Sequence, residues 1–587
     1  MSSSSMTQDD APDNSSNATN SVPLSVATQA FRHIRYVWVI LFLLGLSFNL
    51  ITAFTSAIWF DESYSIALAR HSLADIWRIG SADVHPVLYY WMLHGVVTLF
   101  GQNPIICRLF SVAGLAACAA LGWIFVRRDI GYKTCLGYTF IVLFSPWALA
   151  ESVDIRMYSW AAFFVMFTFL MCSRIARRVL NDAQEDIPLQ WWIGAFAGAI
   201  ACAYMHYFSC LAAALCLLFV LIALIAGHAA RPKTPYIKRQ FVCFGIGLII
   251  CILAYMPWLH VLFAQVSHVR QGFWISLTFP DTFLDIALFP TFNETIESLV
   301  SGGNGLIWQV VCLSALSAFV AACLAALVLA GRNACMPLFR RGEGQKFSHI
   351  KQILIKSAFV LVSPSVAAGF VYIGTIVISL IISLSISPVL MARYLFVVIG
   401  PFAIMISTIF VRARRSFVVS VGIASLSVLA LCSQINSAIA AYDPLNERAI
   451  AYYREITQTE DGYLPVVVGV NVYSDIQPAG ILAVAVPEVP ITLDNTYVYP
   501  KGDYDAYEAF SPALTISDEK RPGAFEDYQG KFVCVTNGTE DDPIFEGYPG
   551  TAVDYAATSY NASGIIESKS FYMPYKSLKL TITVMER

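Results

Sequence analysis

The chain has 587 residues, of which 57% are hydrophobic and only 13% charged, about half the charge of an average soluble domain. Together with many long apolar runs, this excludes a soluble globular enzyme and indicates an α-helical polytopic membrane protein. The net charge of −3 excludes little by itself, but it is unevenly spread: from Asp443 onward 22 acidic residues face 10 basic ones, a net of −12, which leaves +9 for the rest.

Residues 1–30 are rich in Ser, Asn, Thr and Asp and have almost nothing to bury, so a disordered cytoplasmic tail is expected. Arg32, His33 and Arg35 precede the first apolar run, and the positive-inside rule puts the N-terminus in the cytoplasm. Residues 37–58 carry no charge and are long enough to span. They deliver Asp61 and Glu62 to the outer membrane surface, at the start of WFDESYSIALARHSLADIWRIGSADVHPVLYYWMLHGVVTL (residues 59–99).

Within this stretch, residues 87–100 form an apolar run of 14, short for a span and suited to an interfacial or re-entrant helix. Counting it as non-spanning puts every basic cluster inside. Spans are then expected near 37–58, 106–126, 134–150, 157–173, 190–207, 209–227, 241–262, 307–330, 357–386, 394–411 and 416–438, which makes 11. The bundle would occupy residues 31–440, with its first outer loop at 59–105.

Beyond it, residues 441–587 read as a small soluble α/β domain outside the membrane. LPVVVGV, ILAVAVP, KFVCVT and LKLTITV look like strands, and 447–458 looks helical. Most of the 14 cysteines lie in apolar runs, where cysteine packs as a small hydrophobe. The tail holds only Cys534, so it can form no internal disulfide. Nothing in the chain suggests a nucleic-acid partner.

This topology brings Asp61, Glu62, His85, Glu151, Asp154, Arg156, Tyr158, His206, Tyr207, Arg393 and Tyr394 to one face, from five separate regions of the chain. Ionisable groups at a membrane are costly unless they are solvated, paired or working. One reading makes Asp154 with Arg156 or Arg393 a simple structural bridge. Arg108 begins a span near the outer face, where lipid headgroups are an alternative partner.

The same residues suit a lipid-phosphate sugar donor. A guanidinium fork stabilises a leaving phosphate, and a carboxylate accepts the proton of an attacking hydroxyl. Asp61 is the expected base, beside Glu62. Arg156 and Arg393 are the expected phosphate binders, and Tyr64, Tyr89, Tyr158 and Tyr394 are candidates for hydrogen bonds to phosphate or sugar. Against the structural-bridge reading, Asp154 is expected, with His206, among the groups that bind the donor phosphate or sugar. Asp61, Glu62 and Asp154 are the candidate ligands of a divalent metal (Mg, Mn or Zn), which their spacing does not require.

FDESYSIALAR, DVHPVLYYWMLHGVVTLFG, RLFSVAGLAA, SPWALAESVDIRMYSWAAFF and MARYLFVVIGPF, in that order, resemble the GT-C membrane glycosyltransferases, specifically the protein-mannosyltransferase and aminoarabinose-transferase group. The resemblance covers roughly residues 36–440. It implies a GT-C-like bundle of 11 to 13 spans in a bacterial plasma membrane, with a catalytic aspartate on the first outer loop. It also implies inverting transfer of a hexose or pentose from a polyprenyl phosphate to an envelope glycan, a lipid or a secreted protein. His85, placed before Pro86, would lie near the donor phosphate, and His206 matches a His-Tyr at an outer helix end. A transporter or flippase for lipid-linked glycans, or a polymerase, is the alternative. A transporter should show paired repeats or broken mid-membrane helices; the sequence shows neither, and its charges gather at the outer face and not at the midplane.

Overall fold

The computed structural model describes residues 24–181, 186–230, 235–270, 275–302, 305–338, 360, 363–468, 472–494, 509–510, 514–517, 528–542 and 550–587. Among them, nine helices are long and apolar enough to cross a membrane. Two of the 11 expected spans are shorter. The run at 190–207 is a 17-residue helix, Leu189–Met205. The run at 134–150 breaks at Ser145-Pro146 into Tyr132–Phe144 and Pro146–Glu151. The apolar stretch masks the break, but the residue before a proline is driven out of the helical region, and Ser145 is extended and caps the second piece. The first helix, α1, already runs from Leu24 to Leu50, inside the tail expected to be disordered. Residues 1–23 of that tail lie outside the described residues.

The helix Tyr158–Leu180 is the pivot of the bundle. Its buried residues, among them Ala161, Ala162, Val165, Met166 and Phe169, cover most of its circumference, as befits a helix surrounded by others. It packs on α5 (Pro104–Leu121), on Leu189–Met205 and on the helix Tyr207–Ala230. Gly114 of α5 permits the close approach, since a Cβ there would stand 2.9 Å from the backbone nitrogen of Trp160.

The first loop folds into three short helices, α2 (Phe60–Ala69), α3 (Leu73–Ala82) and α4 (Leu88–Phe100). Ser72 caps α3 through the backbone N–H of Asp75. Gly101, at φ 85°, ends α4 after 13 residues, about 20 Å of helix against a hydrocarbon core of roughly 30 Å. Its length is that of the short interfacial or re-entrant helix expected there.

The C-terminal region opens with a short antiparallel pair, β1 (Gln458–Thr459) and β2 (Gly462–Tyr463). Strands β3 (Val466–Val468), β4 (Ile491–Asp494), β5 (Leu514–Ser517) and β6 (Lys531–Asn537) are parallel. Strands β7 (Gly564–Met573) and β8 (Leu578–Glu586) form an antiparallel hairpin joined to β6. Together β3 to β8 make a six-stranded sheet in the order β5-β4-β3-β6-β8-β7. ILAVAVP, expected as a strand, instead falls largely in the helix Val472–Ala485. An apolar run that short fits either state, and the parallel pairing of β3 with β4 requires a crossover, usually helical.

The sheet region is docked on the bundle. One continuous apolar cluster includes Tyr64 and Leu68 of α2 together with Ile476, Leu482, Val533 and Ile582. Phe510 packs on Phe60 and Tyr64, and the imidazole of His71 is 3.1 Å from the carbonyl of Ala509.

Candidate functional site

Two neighbouring acids open α2, and the fold treats them differently. Both lie in the first turn, where the helix dipole favours a carboxylate. Glu62 is fully buried and accepts two hydrogen bonds from Arg108, at 2.8 and 2.6 Å. Arg108 also donates to the carbonyls of Thr55 and Ala57, and the Tyr575 ring lies 5.6 Å from its guanidinium. Arg108 therefore reaches no lipid headgroup, contrary to its expected place. It is fully buried and spends its charge on Glu62, because α5 packs its first turns against the loop and offers no route to lipid.

Asp61 retains partial exposure, 22% of its side chain, and stands 3.7 Å from Arg156 and 3.7 Å from Arg393. These are ion-pair distances, longer than hydrogen bonds. Arg156 lies on the buried segment between the helices Pro146–Glu151 and Tyr158–Leu180. That segment is pinned by the hydrogen bond from Ser152 to Asn49. Arg393 lies on the 3-10 turn Ala392–Val398. Arg156 donates to the hydroxyl of Tyr90, and Arg393 pairs with Glu294 at 3.3 Å. The Nε atoms of both arginines are buried without a hydrogen-bond partner. The expected convergence of Asp61, Arg156 and Arg393 therefore occurs, although their segments lie far apart in the sequence.

The histidines form the opposite wall. His206 interrupts two helices in an extended conformation and accepts a hydrogen bond from the backbone N–H of Phe208 at Nδ1. Its ring stacks on His85 at 5.4 Å. Tyr394 contacts both rings, and Tyr158 contacts His206 and Tyr394. Burial, reinforced by Arg156, pushes His85 well below its ordinary value. Its imidazole is therefore neutral near pH 7, and its Nδ1 has no hydrogen-bond partner.

Asp154 is buried and pairs with Lys576 at 3.4 Å, not with Arg156 or Arg393 as a structural bridge would. Burial pushes it up to about 6 against the pull of Lys576, and burial likewise raises Glu151 and Asp83. Tyr89 is fully buried and bonded to Ser111 on α5, whereas its neighbour Tyr90 is the one that meets Arg156. Tyr64 lies edge-on to Tyr90.

Sequence reasoning missed Lys576, Glu294, Asp83, Tyr90 and Trp59. Asp83 and Tyr90 sit inside the first-loop motif and were within reach. Lys576, which is 422 positions from Asp154, carries no local signal.

The three candidate metal ligands do not fit a shared cation. Asp61 faces Arg156 and Arg393, Glu62 is closed by Arg108, and Asp154 faces Lys576. Among the described residues, no group of three His, Cys, Asp or Glu side chains could hold a metal ion.

No family model and no curated protein matches the chain. Among solved structures it is similar to ArnT from Cupriavidus metallidurans in the apo state, at 12% identity and a TM-score of 0.42, covering 95% of this chain and 98% of that one. The same enzyme bound to undecaprenyl phosphate matches at 12% identity and a TM-score of 0.41, with the same coverage. The Archaeoglobus fulgidus oligosaccharyltransferase in complex with Zn and sulfate matches at 10% identity and a TM-score of 0.40, over 84% of this chain and 67% of that one.

Proposed function

We propose that the protein is an inverting membrane glycosyltransferase that moves a monosaccharide from a polyprenyl-phosphate donor to an acceptor hydroxyl on the outer membrane face. Asp61 takes the acceptor proton as the hydroxyl oxygen bonds to the anomeric carbon. The bond from that carbon to the phosphate oxygen breaks, its electron pair stays on the phosphate, and Arg156 and Arg393 receive the charge. Neutral His85, with its open Nδ1, lies beside the tyrosines as a hydrogen-bonding group for phosphate or sugar, and His206, Tyr158, Tyr394 and Tyr64 shape that wall. Asp154 holds the charge balance behind them. Glu62 anchors α2 through Arg108, and Tyr89 anchors α4 through Ser111.

One observation carries this reading. Two guanidinium groups from distant segments meet one partly exposed carboxylate at 3.7 Å, Arg156 through its Nε, and neither buried Nε completes a hydrogen bond. A buried donor without a partner is rare in a finished structural pair. A phosphate oxygen would complete both guanidinium groups and, by drawing them off Asp61, free the carboxylate to act as a base. The first-loop motifs support the same chemistry through their resemblance to the GT-C group.

The test is transfer by the purified protein from a panel of polyprenyl-phosphate sugars to extracted cell-envelope material. Release of polyprenyl phosphate matched by labelled product supports the reading. Transport of the intact lipid-linked sugar across proteoliposomes, with no cleavage, refutes it.

A further inference from the structure

The hairpin of β7 and β8 does not end in solvent. Its tip, Tyr575–Ser577, reaches into the bundle at the site. The backbone N–H of Tyr575 donates to Asn446, which itself donates to the carbonyl of Ala440, at the end of the last long apolar helix. The Tyr575 ring packs among Ala57, Trp59 and Ala441, and its hydroxyl lies 3.5 Å from Glu62. This seat aims Lys576. Its ammonium stands 3.4 Å from Asp154 and lies over the Trp59 ring at 4.7 Å. The guanidinium of Arg393 lies 5.7 Å from the centre of that same ring, so the two cations share one aromatic floor.

The backbone is as unusual as the placement. Lys576 and Ser577 have φ of 58° and 55°, two consecutive non-glycine residues in the left-handed region. Glycine adopts that region freely, whereas a lysine does so only where the surroundings compel it, and such residues collect at functional sites. An ammonium has three donors. Asp154 uses one, and 24% of the side chain remains exposed.

We propose that Lys576 is a third cation for the donor's phosphate, so that the C-terminal sheet region completes the active site. This rests on the glycosyltransferase reading above. A donor phosphodiester carries one negative charge, and cleavage leaves a phosphate monoester that approaches two. Arg156 and Arg393 already face Asp61, and Lys576 meets the charge that develops on the leaving group. It acts on kcat and on the release of polyprenyl phosphate more than on donor affinity.

The experiment uses the full-length protein with a polyprenyl-phosphate sugar, and polyprenyl phosphate alone as the binding probe. Lys576→Met is expected to lower kcat about 10- to 100-fold, to leave the donor KM within about threefold, and to weaken polyprenyl phosphate binding about tenfold. Lys576→Arg should recover most of the binding. If Lys576→Met misfolds, Lys576→Gln is read in the same two assays. The tenfold loss of binding should persist when Lys576→Met is made in an Asp154→Asn background. Its disappearance there would reduce Lys576 to the counter-ion of Asp154 and overturn the proposal. Wild-type kcat and binding in Lys576→Met, with Asp61→Asn inactive, would also overturn it and leave the glycosyltransferase reading intact. An Asp61→Asn protein with full turnover would instead sink that reading.

Discussion

Asp61 and Glu62 are adjacent in the chain, share one helical turn and have opposite surroundings. Glu62 is sealed. Arg108 meets both of its oxygens at hydrogen-bond distance, two backbone carbonyls take further guanidinium hydrogens, and no water reaches the pair. Asp61 is open. Its two arginines stand off at 3.7 Å and come from segments of the chain that have no reason to meet except there. A charge that holds a fold together completes its hydrogen bonds, and a charge held for a ligand leaves some incomplete. On the reading proposed above, the contrast separates a structural acid from a chemical one where residue type and sequence position cannot.

The largest expected effect breaks the sealed pair. Glu62→Ala leaves Arg108 buried and uncompensated, at a cost of about 3–5 kcal/mol. Thermal unfolding in detergent should show a collapsed transition or no folded protein. If Glu62→Ala melts like wild type, the two acids do not differ as described.

Next comes the open cluster. Arg393→Ala should lower kcat/KM by about 100-fold with a smaller loss of stability than Glu62→Ala, because Asp61 keeps Arg156 as a partner and Glu294 is exposed. An intact kcat/KM, or a melting loss as large as that of Glu62→Ala, would move Arg393 to the structural side.

Much of the site was legible because apolar spans end where charge begins. Asp61, Arg156, His206 and Arg393 each stand at such an edge, and counting basic loops set α4 apart as a short interfacial or re-entrant helix. The errors share a cause, which is that pairing across the fold leaves no periodic trace. Arg108 looked like a lipid-facing residue because Glu62, its partner, is 46 positions away. The partner of Asp154 is invisible in the sequence because the hairpin tip that supplies Lys576 is 422 positions away. The break at Ser145-Pro146 was visible in the sequence, but the apolar length of 134–150 outweighed it. ILAVAVP misled because strand and helix cannot be told apart in seven apolar residues until the strands flanking them are known to be parallel.

The most direct measurement is single-turnover transfer by Asp61→Asn, with donor binding recorded on the same sample. The account predicts that donor affinity stays within about threefold of wild type while the transfer rate falls at least about 1000-fold, as expected when a general base and its local charge are lost together. Transfer at the wild-type rate, or loss of donor binding with the rate on bound donor preserved, would contradict it.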